Sequence, residues 1–91
     1  MQPYTKKYLT FFDLGMDDYV NCEVCGKGGN INNGFDLHHI RARSTHKELE
    51  NELSNLILLC RQCHIRYGDK KKWYGFLYDT HKAKMTDKES E

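Results

Sequence analysis

The four cysteines of the chain fall in two CxxC pairs, Cys22/Cys25 and Cys60/Cys63. Two such pairs can supply the four thiolates of a tetrahedral zinc site. Gly26 follows the first pair directly, as expected where the backbone turns tightly around a metal-bound sulfur. The 34 residues between the pairs exceed the roughly 15–20 of a usual zinc ribbon, which indicates that a functional unit is inserted between the two halves of the site. The pattern predicts a structural Zn²⁺.

Three other uses of these cysteines remain open at this point. Disulfides would suit an exported protein, but the N-terminus has no apolar stretch that resembles a signal peptide. A thioredoxin-like redox pair would need a βαβ pattern around it. The run from Cys60 to His64 matches the CxxCH of haem attachment, which would leave Cys22 and Cys25 without a role. The zinc interpretation is the one that uses all four thiols.

Histidines and one asparagine form a second set of candidate residues. His38 and His39 are adjacent, Asn55 begins an apolar run, and His64 directly follows the second cysteine pair. A neutral imidazole is available near pH 7 both to accept a proton and to bind a divalent metal. A histidine doublet in this context is difficult to explain by packing alone. The remaining two histidines match no position of the pattern and are expected at the surface: His46 and His81.

Read in order, Asp36-Leu-His38-His39-Ile40, the stretch from Asn55 to Cys60, and Cys63-His64 resemble the HNH endonuclease motif. The flanking CxxC pairs resemble the zinc-stapled branch of that family, and the resemblance covers roughly residues 20–68. It implies an α+β fold, the small ββα-metal (HNH, or His-Me finger) domain, in which two antiparallel strands and a helix hold one divalent ion. It also implies metal-dependent hydrolysis of phosphodiester bonds in DNA, by nicking or double-strand cleavage.

The same resemblance implies a role for each residue of the motif. His39 would be the general base, and His38 and His64 would bind the catalytic metal ion, for which Mg²⁺, Mn²⁺, Ni²⁺ and Zn²⁺ all remain candidates. Asn55 would keep the motif in shape through its side-chain amide. Colicin-type relatives carry a further histidine four residues after the one matching His64, where this chain has Gly68, so the third ligand stays open. Because neighbouring strand residues point to opposite faces, we expect the strand to end or bulge at the doublet.

Basic residues are distributed unevenly on both sides of this motif. The net charge is only +1, but uneven placement can still build a basic face that attracts DNA phosphates. The candidates for nucleic-acid contacts are Arg41, Arg43, Arg61, Arg66, Lys70, Lys71 and Lys72. A solvated charged surface would account for them equally well. Small stand-alone members of the family come from phages and mobile elements, so a phage packaging component is a further expected partner.

Local patterns place these residues on a single domain spanning residues 1–91. The apolar run after Asn55 is predicted to be a buried strand, and Asn33-Gly34 predicts a tight turn before another strand. The remaining predicted elements are an N-terminal helix over about 3–14, a strand over 35–40, a short helix over 61–67, a C-terminal helix over about 69–84 and a frayed tail over 85–91. Trp73, Phe76 and Leu77 are expected on the inner face of the last helix.

Composition limits the location and leaves two non-catalytic functions open. No apolar run approaches the roughly 20 residues of a membrane span, so we expect no membrane partner and a cytoplasmic location in a bacterial or phage-infected cell. A zinc-binding nucleic-acid module would explain the cysteines and the basic residues. An adaptor that docks on a larger protein would need the zinc alone. Neither alternative uses the histidine doublet, Asn55 and His64 together.

Overall fold

The computed structural model describes residues 2–90; residues 1 and 91, the ends of the single domain expected over 1–91, lie outside the described part. Within residues 2–90, two antiparallel two-stranded sheets, β1–β2 and β3–β4, are accompanied by three α-helices. In chain order the elements are α1 (Pro3–Phe11), β1 (Tyr19–Asn21), β2 (Gly28–Asn30), β3 (Phe35–His39), β4 (Leu56–Cys60), α2 (Arg61–Tyr67) and α3 (Tyr74–Glu89). The predicted α+β class is confirmed.

Strands β3 and β4 together with α2 form the predicted ββα unit. The antiparallel register runs from Phe35 opposite Cys60 to His39 opposite Leu56. Helix α2 follows β4 without an intervening residue and occupies the predicted range Arg61–Tyr67. The long connection between the two strands contains two short 3₁₀ turns, so the strands pair without a tight hairpin turn. This unit sets the positions of the doublet, of the asparagine and of the second cysteine pair.

Every residue of β4 is buried, because helices cover both faces of the strand. Ile57 and Leu59 belong to a core cluster that includes α3, whereas Leu56 and Leu58 belong to a second cluster that includes α1. Alternate side chains of a strand point to opposite faces, so one strand supplies both clusters. Burial on both faces explains why this segment reads as a continuous apolar run rather than an alternating one.

Helix α1 ends at Phe11, three residues before the predicted end. Asp13 adopts the left-handed backbone conformation, with φ of 55°, and the N–H of Leu14 donates to the carbonyl of Leu9 at 2.8 Å. This is the usual way in which a helix closes on a left-handed residue. The chain therefore ends this helix with Asp13 rather than with a glycine.

Helix α3 begins after a 3₁₀ turn at Lys71–Trp73 and continues to Glu89, so residues 85–89, expected to fray, are helical. Lys88 pairs with Asp13 at 2.7 Å, which ties the end of α3 to the segment after α1. Leu77 is fully buried as predicted, but Phe76 is 42% exposed and does not lie on the inner face. Neither α3 nor another helix within residues 2–90 is long and apolar enough to cross a membrane.

Candidate active site

The four cysteines come together at the junction of the first hairpin with the ββα unit. Their sulfur atoms all lie within 4.8 Å of one another, and the Sγ atoms of Cys25 and Cys60 are 3.7 Å apart. A tetrahedron of Zn–S bonds of about 2.3 Å places its sulfurs about 3.8 Å apart. The spacing therefore fits a metal-thiolate site, and all four cysteines are free of disulfides.

Electrostatics at the cluster agree with this donor set. Burial opposes ionisation of Cys22, but backbone N–H groups directed at its sulfur outweigh burial and lower its pKa to about 7. Burial and the neighbouring thiols raise the pKa of Cys63. Four thiolates this close together repel one another unless a cation lies among them, and Zn²⁺ is the usual cation for four cysteines. The cluster could thus hold a structural metal ion.

A second group of predicted residues lines a cleft of about 370 Å³ between α1, the end of β3 and α2. Among its lining residues are Tyr4, His38, His39, Arg43, His64 and Asp69. Both members of the doublet reach this cleft although they are neighbours in sequence. Strand β3 ends at His39, so the backbone leaves the strand at the doublet, as expected. The structure therefore brings the doublet and His64 together.

Asp36 orients His64 within the cleft. The Nδ1–H of His64 donates to Asp36 at 3.1 Å, and Nε of Arg61 lies 3.1 Å from the same carboxylate oxygen. Since Nδ1 is engaged in this way, Nε2 of His64 is left for a ligand. Carboxylates commonly orient metal-binding histidines through the ring nitrogen that does not face the metal. Asp36 precedes His38 by two strand positions, so the two residues share a face of β3.

His38 is buried beside His64, with 6% of its surface exposed and ring centroids 4.9 Å apart. Its Nε2 is buried and has no hydrogen-bond partner among the described residues. Burial and the adjacent His64 lower the pKa of His38 to about 4, so the ring is neutral at pH 7, as a metal ligand must be. Ligand atoms of His38, His64 and Asp69 lie within 4.8 Å of one another. These donors fit a divalent cation.

His39 also lines the cleft and is 9% exposed. Its Nε2 is 3.0 Å from the carbonyl oxygen of Glu50, and the ring of Tyr4 packs against it edge-on at 4.5 Å. A carbonyl can only accept a hydrogen bond, so Nε2 carries the hydrogen. The neutral ring then has its free lone pair on Nδ1. This tautomer leaves Nδ1 able to accept a proton.

Asn55 holds the segment that follows the doublet. Its Oδ1 accepts from the N–H of Arg41 at 2.9 Å and from the hydroxyl of Tyr78 at 2.8 Å, and its Nδ2 donates to the carbonyl of Arg41 at 3.0 Å. The carbonyl of Asn55 also accepts from the N–H of Ile40 at 2.8 Å. The side chain thus clamps the backbone just after the doublet onto the start of β4.

The sequence model of the HNH endonuclease family matches residues 22–70, just over half of the chain. The chain belongs to the HNH endonuclease family. The matched range contains both cysteine pairs and all of the cleft residues that come from β3 and α2. No curated protein and no solved structure matches this HNH chain in the comparisons made.

The basic residues around the HNH motif take different positions. The guanidinium of Arg43 lies in the cleft and donates to the hydroxyl of Tyr4 at 3.1 Å, whereas that of Arg41 stacks over Tyr74 at 5.0 Å. Lys70 donates to the carbonyls of Ile65 and Arg66 and thereby caps α2. The other four candidates have exposed side chains: Arg61, Arg66, Lys71 and Lys72.

One expectation about the histidines outside the HNH motif is wrong. His46 is half-buried, but His81 on α3 is only 1% exposed rather than a surface residue. Its ring donates from Nδ1 to Glu23 and from Nε2 to the carbonyl of Leu53, each at 2.8 Å. Glu23 lies inside the first CxxC, and the pair spans 58 residues. A contact between residues so far apart leaves no local pattern in the sequence.

Sequence reasoning did not assign functional roles to three residues at the site. Asp36 could have been found, because a carboxylate two strand positions before a metal-binding histidine points to the same face. Asp69 directly follows Gly68, the position four residues after His64 at which the motif leaves the third metal ligand open. Tyr4 reaches the cleft from α1, which the family match does not include, so no motif indicated it.

Proposed function

We propose that this HNH chain is a metal-dependent endonuclease that hydrolyses phosphodiester bonds in DNA, with His39 as general base. The observation that carries the proposal is that a single cleft contains His39 beside the pair His38 and His64. Phosphodiester hydrolysis needs an activated water and compensation of phosphate charge, and this cleft offers side chains for both.

In this proposal His38 and His64 hold the catalytic divalent ion, while the four cysteines hold a separate structural Zn²⁺. Mg²⁺, Mn²⁺, Ni²⁺ and Zn²⁺ are the candidates for the catalytic ion. When bound, such an ion supplies Lewis-acid stabilisation of the scissile phosphate and of the departing 3′ oxygen. The hydrogen bond from Nδ1 of His64 to Asp36 orients the His64 ring, so that its Nε2 points away from the carboxylate.

His39 takes a proton from the attacking water at Nδ1, since its Nε2–H is bonded to the carbonyl of Glu50. Asn55 acts on this step indirectly. It fixes the backbone at Arg41 and also lies 3.4 Å from the carbonyl of Leu49, the residue before Glu50. The edge-on contact with Tyr4 restricts rotation of the His39 ring. The products would carry 5′ phosphate and 3′ hydroxyl ends, as the family resemblance implies.

DNA is supported as the substrate by cations near the cleft. Arg43 lies in the cleft itself, and the exposed side chains of Lys71 and Lys72 follow the segment that carries His64. Contacts from such residues to phosphate oxygens bind DNA without reading its sequence. A protein partner, such as a phage packaging component, would supply the DNA-sequence specificity that these residues do not.

The test is nicking of supercoiled plasmid by zinc-loaded protein with each candidate metal ion. We expect His39→Ala to lower the cutting rate by about 10²- to 10⁴-fold without changing the thermal melt. His46→Ala, a histidine outside the cleft, should cut at the wild-type rate. If His39→Ala cuts as fast as wild type, the assignment of the base is wrong. Tight DNA binding without cutting under any metal would favour the non-catalytic module.

A further inference from the structure

Gly68, four residues after His64, has no room for a side chain. A Cβ atom added at Gly68 would lie 2.4 Å from the carbonyl oxygen of His64 and 2.7 Å from Cδ2 of its ring. The same Cβ would also lie 3.4 Å from Cε1 of His38. The backbone at Gly68 therefore passes against both histidine rings and leaves no room for a ligand side chain of its own.

Asp69, the next residue, has a left-handed backbone conformation. Its φ is 58°, in the left-handed region that L residues other than asparagine and aspartate rarely enter. Non-glycine residues held in this region often occur at functional sites. In this conformation a carboxylate oxygen of Asp69 lies within 4.8 Å of the ligand atoms of His38 and His64.

Asp69 is exposed to solvent, whereas the Nε2 atom of His38 is buried. Among residues 2–90 the carboxylate of Asp69 makes no hydrogen bond or ion pair, and the buried Nε2 of His38 has no partner. The two side chains are close but do not bond each other. A neutral imidazole lone pair and a carboxylate are both donors to a metal, and a cation between them would satisfy both.

We propose that Asp69 is the third protein ligand of the catalytic ion and replaces the side chain that Gly68 cannot supply. The inference rests on the proposed function, which places the ion on His38 and His64. Two imidazoles and one carboxylate leave coordination positions open for water and phosphate. Because carboxylate oxygen suits Mn²⁺ better than an all-nitrogen set does, this chain should use Mn²⁺ well.

The test measures Mn²⁺ binding rather than cutting. Zinc-loaded protein is titrated with Mn²⁺, and the free ion is quantified from its electron paramagnetic resonance signal. Asp69→Asn keeps an amino acid that tolerates the left-handed backbone and should weaken Mn²⁺ binding at least about tenfold. Asp79→Asn removes the same charge from an exposed position on α3 and should bind Mn²⁺ as wild type does.

Cobalt separates ligation from a mere charge effect. Co²⁺ bound at the histidines has d–d absorption bands that depend on the ligand set, and thiolate charge-transfer bands would reveal Co²⁺ exchanged into the cysteine site. Asp69→Asn should change the d–d bands. Weaker Mn²⁺ binding with unchanged bands would overturn ligation. If Asp69→Asn does not fold, Asp69→Gly, which also accepts a positive φ, is expected to give the same losses.

His38→Ala distinguishes failure of this inference from failure of the proposed function. We expect it to abolish Mn²⁺ binding. If it does so while Asp69→Asn binds Mn²⁺ within twofold of wild type, the third ligand is not Asp69 and the histidine site stands. If His38→Ala itself binds Mn²⁺ normally, the proposed metal site is wrong, and this inference is overturned with it.

Discussion

Two histidines of this chain, His38 and His81, are similarly buried but have opposite surroundings. Both ring nitrogens of His81 donate, one to Glu23 and one to the carbonyl of Leu53. Glu23 in turn accepts from the hydroxyl of Tyr8 at 2.5 Å and from the N–H of Leu58 at 2.9 Å. His38, by contrast, has a buried Nε2 with no partner in the described part of the chain.

The difference separates a histidine with a structural role from one that we propose binds a metal ion. A buried polar atom without a partner costs about 1–3 kcal/mol, so such a group persists where it serves another purpose. At His81 the network joins α1, the first CxxC, β4 and α3, which makes its role structural. Burial alone does not distinguish the two residues. The count of bonded ring nitrogens does distinguish them.

Removal of the Zn²⁺ that we propose for the four cysteines should have the largest effect, because both histidines depend on the cysteine cluster. Glu23 lies between Cys22 and Cys25, and His64 follows Cys63 directly. Structural zinc contributes roughly 10–16 kcal/mol in zinc-finger peptides, which is comparable to the roughly 5–15 kcal/mol stability of a whole domain. Chelation should abolish the helical circular dichroism signal, and added Zn²⁺ should restore it. If metal analysis shows that the zinc is absent and the spectrum is nevertheless unchanged, this expectation is contradicted.

His81→Leu should come second, with a loss of about 3–5 kcal/mol in the free energy of unfolding. The loss arises because the Glu23 carboxylate remains buried without the ring N–H that donates to it. Urea denaturation of the zinc-loaded protein measures it. The double variant Glu23→Gln/His81→Leu, which removes the carboxylate but keeps an amide oxygen to accept from Tyr8 and Leu58, should recover part of the loss. Equal or greater instability of the double variant would mean that the pair is not coupled in this way.

His38→Leu should have the smallest effect on stability and the opposite sign. Without added catalytic metal, replacing an unbonded buried nitrogen by a methyl-bearing side chain should leave the free energy of unfolding unchanged or raise it by about 1 kcal/mol. The same urea denaturation, on the same zinc-loaded background, provides the comparison. If His38→Leu destabilises as strongly as His81→Leu does, His38 is a structural residue and the contrast fails.

The elements nearest the motif could be predicted from the sequence because their signals are local. The run after Asn55 predicted β4, and the range predicted for α2 is the one observed. The two CxxC pairs indicated their cluster because two such pairs can supply the four thiolates of one tetrahedral metal site. The family match then agrees with the fold that the motif implied.

Other features depend on contacts between distant segments and could not be predicted in this way. The burial of His81 requires Glu23, and the helical state of residues 85–89 accompanies a pairing of Lys88 with Asp13 across 75 positions. Phe76 has a position in the helical repeat that indicated burial, yet it is 42% exposed. The place of Asp69 in the cleft accompanies a left-handed backbone conformation that a single residue type does not specify.

Strand β4 also limits how this sequence can change in length. Asn55, which clamps the segment after the doublet, precedes the strand, and Cys60 of the zinc cluster is its last residue. At about 3.3 Å per residue, the five steps from Asn55 to Cys60 set a separation of about 17 Å between the Asn55 clamp and the cysteine cluster. An inserted or deleted residue would also exchange the side chains of the two cores. Natural variants should therefore differ in length between residues 41 and 54, and hardly ever within β4.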